Sequence, residues 1–114
     1  MHTRESLQNQ MQQMGLRPTD TVLVHTSLRA VGPVEGGADG LIDAFHTYLS
    51  EGLFLIPTHT WANVNAGNPL YDVSASEPCI GTLPRIAAFR QDGFRSLHSM
   101  VMVVFIVTLL HLIP

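Results

Sequence analysis

No lysine occurs in the 114 residues, and all six cationic side chains are arginines. A Walker phosphate loop needs G-x-x-x-x-G-K-[ST], so that site is excluded. Cysteine is nearly absent as well. Cys79 stands alone, so no intrachain disulfide can form, and a reducing, cytoplasmic setting is expected. With no helix start or basic cluster around it, Cys79 reads as a small buried apolar residue rather than a reactive thiol. Charged residues make up only 13% and the net charge is -3, which argues against a nucleic-acid partner. Six scattered arginines offer planar forks for phosphate or carboxylate but build no basic patch.

Long apolar runs are also missing. Residues 1–14 are polar and glutamine-rich, without the apolar centre of a signal peptide. Met100 to Leu110 is apolar apart from Thr108, but it is shorter than the ~20 residues a membrane helix needs, and His111 interrupts its extension. This run reads as a buried strand or a misplaced tail. A small protein held to a membrane by that tail is the competing reading. Compact metal-ligand spacing is lacking too: His25, His59 and His98 lie far apart without Cys or acidic neighbours, so no metal is expected. No G-x-S-x-G nucleophile elbow is present.

What remains is a patterned α/β chain. Leu7, Met11 and Met14 share one helical face, with Thr3 as N-cap and Gly15 at the far end, which predicts a helix over residues 4–14. Thr21 to His25 is apolar on both faces and predicts a central parallel strand. A glycine-rich turn over 26–37 leads into a helix over 38–50, carried by Leu41, Ile42, Phe45 and Leu49 and ended by Gly52. Leu53 to Pro57 predicts the next strand, completing a βαβ unit. Residues 58–80 form a long loop, and loops of that length are usually functional or disordered. Thr82 is expected to cap a third helix bearing Leu83, Ile86, Ala87 and Arg90, with Pro84 in its first turn. Gly93 breaks that pattern, and Arg95 to Ser99 reads as a polar turn.

The stretch VLVHTSLRAVGPVEGGADG (residues 22–40) is the chemical centre of the sequence. Open α/β sheets bind ligands beyond the carboxyl ends of their strands, and backbone amides there hold anions without lysine. The glycine spacing fails the dinucleotide pattern G-x-G-x-x-G, and turn-making alone explains much of it. Thr26 and Ser27, followed by Arg29, add hydroxyls and a cation suited to a phosphate or to the amides of a thin cofactor. Asp39 near the helix start suits the helix dipole with no ligand needed.

LVHTSLRAVGPVEGGADGLIDA, followed in order by LIPTHTW, YDVSASEPCIGTLPRIAAFR and FRSLHS, resembles the aminoglycoside 3-N-acetyltransferase family over residues 7–99. The resemblance implies an α/β/α sandwich with a mostly parallel central sheet that uses acetyl-coenzyme A to acetylate the 3-amino group of an aminoglycoside. It implies a cofactor site at Thr26, Ser27, Leu28, Arg29, Val31 and Gly32, joined by Arg95, Ser96 and His98. Tyr71 and Asp72 then lie toward the polycationic substrate, where a loop-capping role suits Asp72 equally well. Members of the family run to about twice this length and carry their catalytic histidine and its acidic partner in the second half, so the chain reads as truncated. The family's second loop continues with small residues, whereas here Ser99 gives way to MVMVVFIVTLLHLIP. The expected division is therefore an acetyltransferase-like portion over 1–99 and an atypical apolar tail over 100–114. The catalytic residues are not identified, and a non-catalytic coenzyme A-binding or interaction remnant is the alternative. Leu53–Pro57 or the tail strand is expected to expose an unpaired edge and to favour a homo-oligomer.

Overall fold

Thr3 and Ser6 build a reciprocal cap that starts the first helix. The Ser6 amide donates to Thr3 Oγ1 at 3.1 Å, and the Thr3 amide donates to Ser6 Oγ at 2.9 Å. The computed structural model describes residues 1–95 and the backbone of residues 103–107. Helix α1 spans Arg4–Gln13 and buries Leu7 and Met11. Met14, expected on the same stripe, is the C-cap and is 77% exposed. Gly15 follows with a positive φ of 89°, a conformation that favours glycine.

Strand β1 is shorter than expected, Thr21–Leu23. Ser27 then caps a one-turn helix, α2 (Leu28–Val31), inside the stretch expected to be only a turn. Helix α3 (Gly37–Tyr48) starts after Gly36, whose φ is 83°. Its Phe45 ring stacks on Phe54 at 4.9 Å between centroids, with 10° between planes. Strand β2 occupies Leu53–Pro57 as expected. Its entry is tight: a Cβ on Gly52 would sit 2.0 Å from the Asp20 carbonyl oxygen, so no other residue fits without moving backbone.

Helix α4 spans Thr82–Ala88. Its N-cap is Gly81, without a side-chain bond, and not Thr82, which is already helical. Strands β3 (Gly93–Arg95) and β4 (Val103–Val107) complete a four-stranded sheet in the order β1-β2-β4-β3. Arg95, read as the start of a turn, is the last residue of β3. The apolar tail supplies β4.

The α/β class and the parallel βαβ unit hold, with Thr21, Val22 and Leu23 registered against Leu53, Phe54 and Leu55. The mostly parallel sense of the sheet holds for β1, β2 and β3, which run the same way, while β4 runs antiparallel to both of its neighbours. Seven residues separate β3 from β4, fewer than the dozen or so a parallel crossover requires. Two readings change. Strand β1 is an edge of the described sheet rather than its centre, and β2 and β4 are both paired on two sides, leaving β1 and β3 as the edges. Among the described residues the sandwich has one helical layer. Leu7, Met11, Ala38, Leu41, Ile42, Leu83 and Ala87 form one buried cluster with Phe54 and Ile56, so α1, α3 and α4 all pack on the same sheet face.

Arg90 ties the helices together. Its Nη1 lies 3.0 Å from Asp39 Oδ1, its Nη2 2.7 Å from Asp43 Oδ1 and 2.6 Å from Asp92 Oδ2. This knot joins the chain leaving α4 to the outer side of α3. The hydrogen bonds from Arg90 hold the Asp92 carboxyl below the usual carboxylate range, against the opposing effect of burial. Arg90→Gln should lower unfolding stability by about 1–2 kcal/mol, the low end for bonds to charged groups because the carboxylates are partly solvated. Asp92 is depressed in the folded state, so its contribution is present above about pH 4 and fades as pH falls through its folded value. Urea denaturation of both proteins should show the gap narrowing in acid. An equal gap at all pH values would show that the carboxylate plays no part.

Candidate functional site

The topology gathers three strand ends. Strand β1 is parallel to β2, and β3 is antiparallel to β4, which is antiparallel to β2. Strands β1, β2 and β3 therefore point the same way, and their carboxyl ends share one edge of the sheet. Thr26 and Ser27 follow β1 there, Thr58 to Thr60 follow β2, and Arg95 ends β3. Strand β4 lies between β2 and β3, so the first and last of these groups are about 14 Å apart, three strand spacings.

At the β1 end, the Ser27 hydroxyl accepts a bond from the Ala30 amide at 3.1 Å and caps α2. That local role follows from the serine's position and requires no ligand. Leu28 is half-buried against the core, Arg29 is exposed, and no bond or ion pair of its guanidinium occurs among the described residues. Gly32 ends α2 with φ of 88°. Thr26 and Val31 line a cavity of about 260 Å³ with Met11, Val24, Leu41 and Phe45. The predicted cofactor residues 26–32 thus form one continuous turn over an apolar cavity.

At the β3 end, the Arg95 guanidinium lies between two rings, 5.5 Å from the centroid of Tyr71 and 5.3 Å from that of Phe89. Its Nη1 donates to the Val73 carbonyl at 3.2 Å, while Nε and Nη2 are buried and have no hydrogen-bond partner among the described residues. Burial lowers the Arg95 pKa, with Tyr71 opposing. Burial likewise raises that of Tyr71, against the pull of Arg95. The structure therefore brings Tyr71 and Arg95 together, although they were read as belonging to substrate and cofactor regions. Asp72 is exposed, and its Oδ1 accepts from the Ser74 amide at 2.9 Å and the Ser74 hydroxyl at 2.6 Å. These bonds lower its pKa and make it a loop cap. Ser96 and His98 lie outside the described residues.

Thr58 and Thr60 were not singled out by the sequence reading. Both are fully buried, and Thr58 Oγ1 has no hydrogen-bond partner among the described residues. A buried hydroxyl left unpaired costs about 1–3 kcal/mol. The signal was available: THT follows LFLIP as TS follows TVLVH, a hydroxyl pair at the mouth of each parallel strand. The His59 ring lies 5.2 Å from that of Trp61, tilted by 37°, and His25 is exposed. Among the described residues no group of three or more His, Cys, Asp or Glu could hold a metal ion, and no helix is long and apolar enough to cross a membrane. Cys79, expected to be buried, is half-exposed.

A mixed sheet with hydroxyl-bearing turns at the carboxyl edge of its parallel strands is an α/β domain of the kind whose members bind ligands at that edge. The family model of aminoglycoside 3-N-acetyltransferase matches residues 23–106, and the chain belongs to that family. It is 32% identical to aminoglycoside N(3)-acetyltransferase III of Serratia marcescens over 86% of this chain and 43% of that protein. The crystal structure of aminoglycoside acetyltransferase AAC(3)-IIb is 28% identical with a TM-score of 0.80, covering 96% of this chain and 46% of that one. AAC-IIIb in its binary complex with CoASH shares the fold at 22% identity and a TM-score of 0.77, over 90% and 45% of the two chains. The chain thus spans less than half the length of these relatives.

Ser27→Ala should cost about 1 kcal/mol locally and speed hydrogen exchange at the Ala30 amide. Ser27→Asn, which can also cap, should restore the protection. Unchanged exchange in the alanine variant would remove the capping role.

Proposed function

We propose that this chain forms the cofactor-binding portion of an acetyl-coenzyme A-dependent aminoglycoside 3-N-acetyltransferase of the cytoplasm. The observation that carries the reading is the convergence of three strand ends on one edge, each bearing a hydroxyl or an arginine. The donor set suits a carrier that has phosphates at one end and amides along its length. Arg29 offers an exposed fork for phosphate. The turn 26–32 offers hydroxyls and main-chain groups, and the cavity beneath Thr26 and Val31 offers apolar walls. Arg95, with Ser96 and His98 next to it in sequence, serves the far end of the same edge. Tyr71 and Asp72 belong to the long loop that reaches this edge, where a carboxylate favours an aminoglycoside's ammonium groups.

Bound acetyl-coenzyme A supplies an activated thioester, so the carbonyl carbon gains a C–N bond and loses its C–S bond. The chain's part is to hold the carrier in place and to keep it oriented. The attacking amine must be neutral and must lose a proton to a general base. No described residue is assigned that role. The coverage of 43% of the Serratia marcescens protein favours a second reading, in which the isolated chain binds coenzyme A without turnover.

Titration calorimetry should detect coenzyme A binding that weakens by about fivefold in Arg29→Ala, the loss of roughly 1 kcal/mol from one exposed phosphate contact. Absence of heat at millimolar coenzyme A would reject both readings. Thiol release in the presence of an aminoglycoside separates them. A rising trace supports acetyl transfer, and a flat trace from a coenzyme A-bound chain supports the non-catalytic form.

A further inference from the structure

We propose that Arg95, clasped by Tyr71 and Phe89, is a binding site for the carboxylate of a small organic acid. The shape of its fork carries the inference. A guanidinium offers five N–H donors in one plane. Nη1 gives one to the Val73 carbonyl at 3.2 Å. Nε and Nη2 present parallel N–H bonds along one edge, the edge that takes both oxygens of a carboxylate side by side. Both atoms are buried and have no hydrogen-bond partner among the described residues.

No carboxylate of the sequence fills that edge. All nine Asp and Glu residues fall between Glu5 and Asp92, and residues 96–114 contain neither. No ion pair among the described residues joins any of the nine to Arg95. Asp92 is held by Arg90, and Asp72, next to Tyr71, accepts from Ser74. Arg90 makes the contrast plain, because its fork meets three carboxylates while that of Arg95 meets none.

The surroundings select the ligand. Ring centroids at 5.5 and 5.3 Å stabilise the cation without hydrogen-bonding its edge. No second cation stands beside it: Arg90 is bound in its knot, and Arg29 belongs to the strand end about 14 Å away. One partly buried positive charge is balanced by one negative charge. A carboxylate supplies that charge on two oxygens. A phosphate monoester brings nearly two charges at neutral pH and leaves the excess in a desolvated place. An ammonium group is repelled. Tyr71 is half-buried and Phe89 is 40% exposed, so the clasp reaches the surface and a small acid can enter. The inference leaves the turn 26–32 and Arg29 to coenzyme A and narrows the part Arg95 plays at that edge. It does not rest on acetyl transfer.

Acetate is the probe, and the Arg95 Nε–H signal in the proton–nitrogen spectrum of the full chain is the readout. Acetate should shift that signal with a midpoint of about 1–10 mM and slow its exchange with water. Inorganic phosphate and chloride at equal ionic strength should leave it in place. Arg95→Lys keeps the charge and loses the paired donors. Acetate affinity read from the Tyr71 ring signals should then fall about tenfold or more. Phe89→Leu, at a partly exposed position and checked by circular dichroism, should weaken binding about threefold by removing one ring. A signal unmoved by acetate up to about 100 mM would overturn the site. A shift produced by phosphate or coenzyme A and not by acetate would overturn the carboxylate and assign Arg95 to the carrier's phosphates. An acetate shift in a chain that gives no heat with coenzyme A would support this site while rejecting the coenzyme A reading.

Discussion

The parallel pairing of β1 with β2 is the constraint from which the rest follows. Two strands that run the same way cannot be joined by a hairpin, so the chain must cross the sheet, and α3 is that crossing. Crossing fixes α3 on one face, where Phe45 meets Phe54 and Ile42 enters the core. It also fixes both carboxyl ends at one edge. The turn that begins at Thr26 and the threonines after Pro57 are neighbours for that reason, although some thirty residues separate them. Gly52 feels the constraint directly, because the return into β2 passes the Asp20 carbonyl with no room for a side chain.

Much of this frame was legible in the residues. Thr3, Gly15 and the apolar spacing of α1 and α3 act locally, so they read correctly from a single sequence. Strand β2 read correctly because LFLIP is short, apolar and bounded by Gly52 and Pro57. What failed was what depends on distant chain. The apolar run Thr21–His25 looks central by composition, yet its place in the sheet is set by which strands lie beside it. The pairing of β4 between β2 and β3 is likewise set by distant chain, which its Val-rich composition does not reveal.

The candidate site was legible in the same uneven way. Residues 26–32 form one turn, so contiguity alone located them. The pairing of Tyr71 with Arg95 joins a loop to a strand end, and no spacing rule anticipates it. Ser27 shows the reverse case, since its hydroxyl is committed to the Ala30 amide by position in the chain. Asp72 is committed to Ser74 in the same manner. A polar residue in a promising motif can also carry a local structural bond, and only the hydrogen-bond partners reveal it.

The loop from 58 to 80 is anchored at both ends, by β2 on one side and by α4 and the Arg90 knot on the other. Its middle carries exposed Trp61 and Leu70 and closes on itself through the Asn65–Asn68 bridge. Lengthening such a segment is thermodynamically cheap, about 0.6 kcal/mol for each doubling. Evolution could therefore reshape this segment by insertion or deletion, changing what the neighbouring edge admits, while the frame that carries it stays as it is.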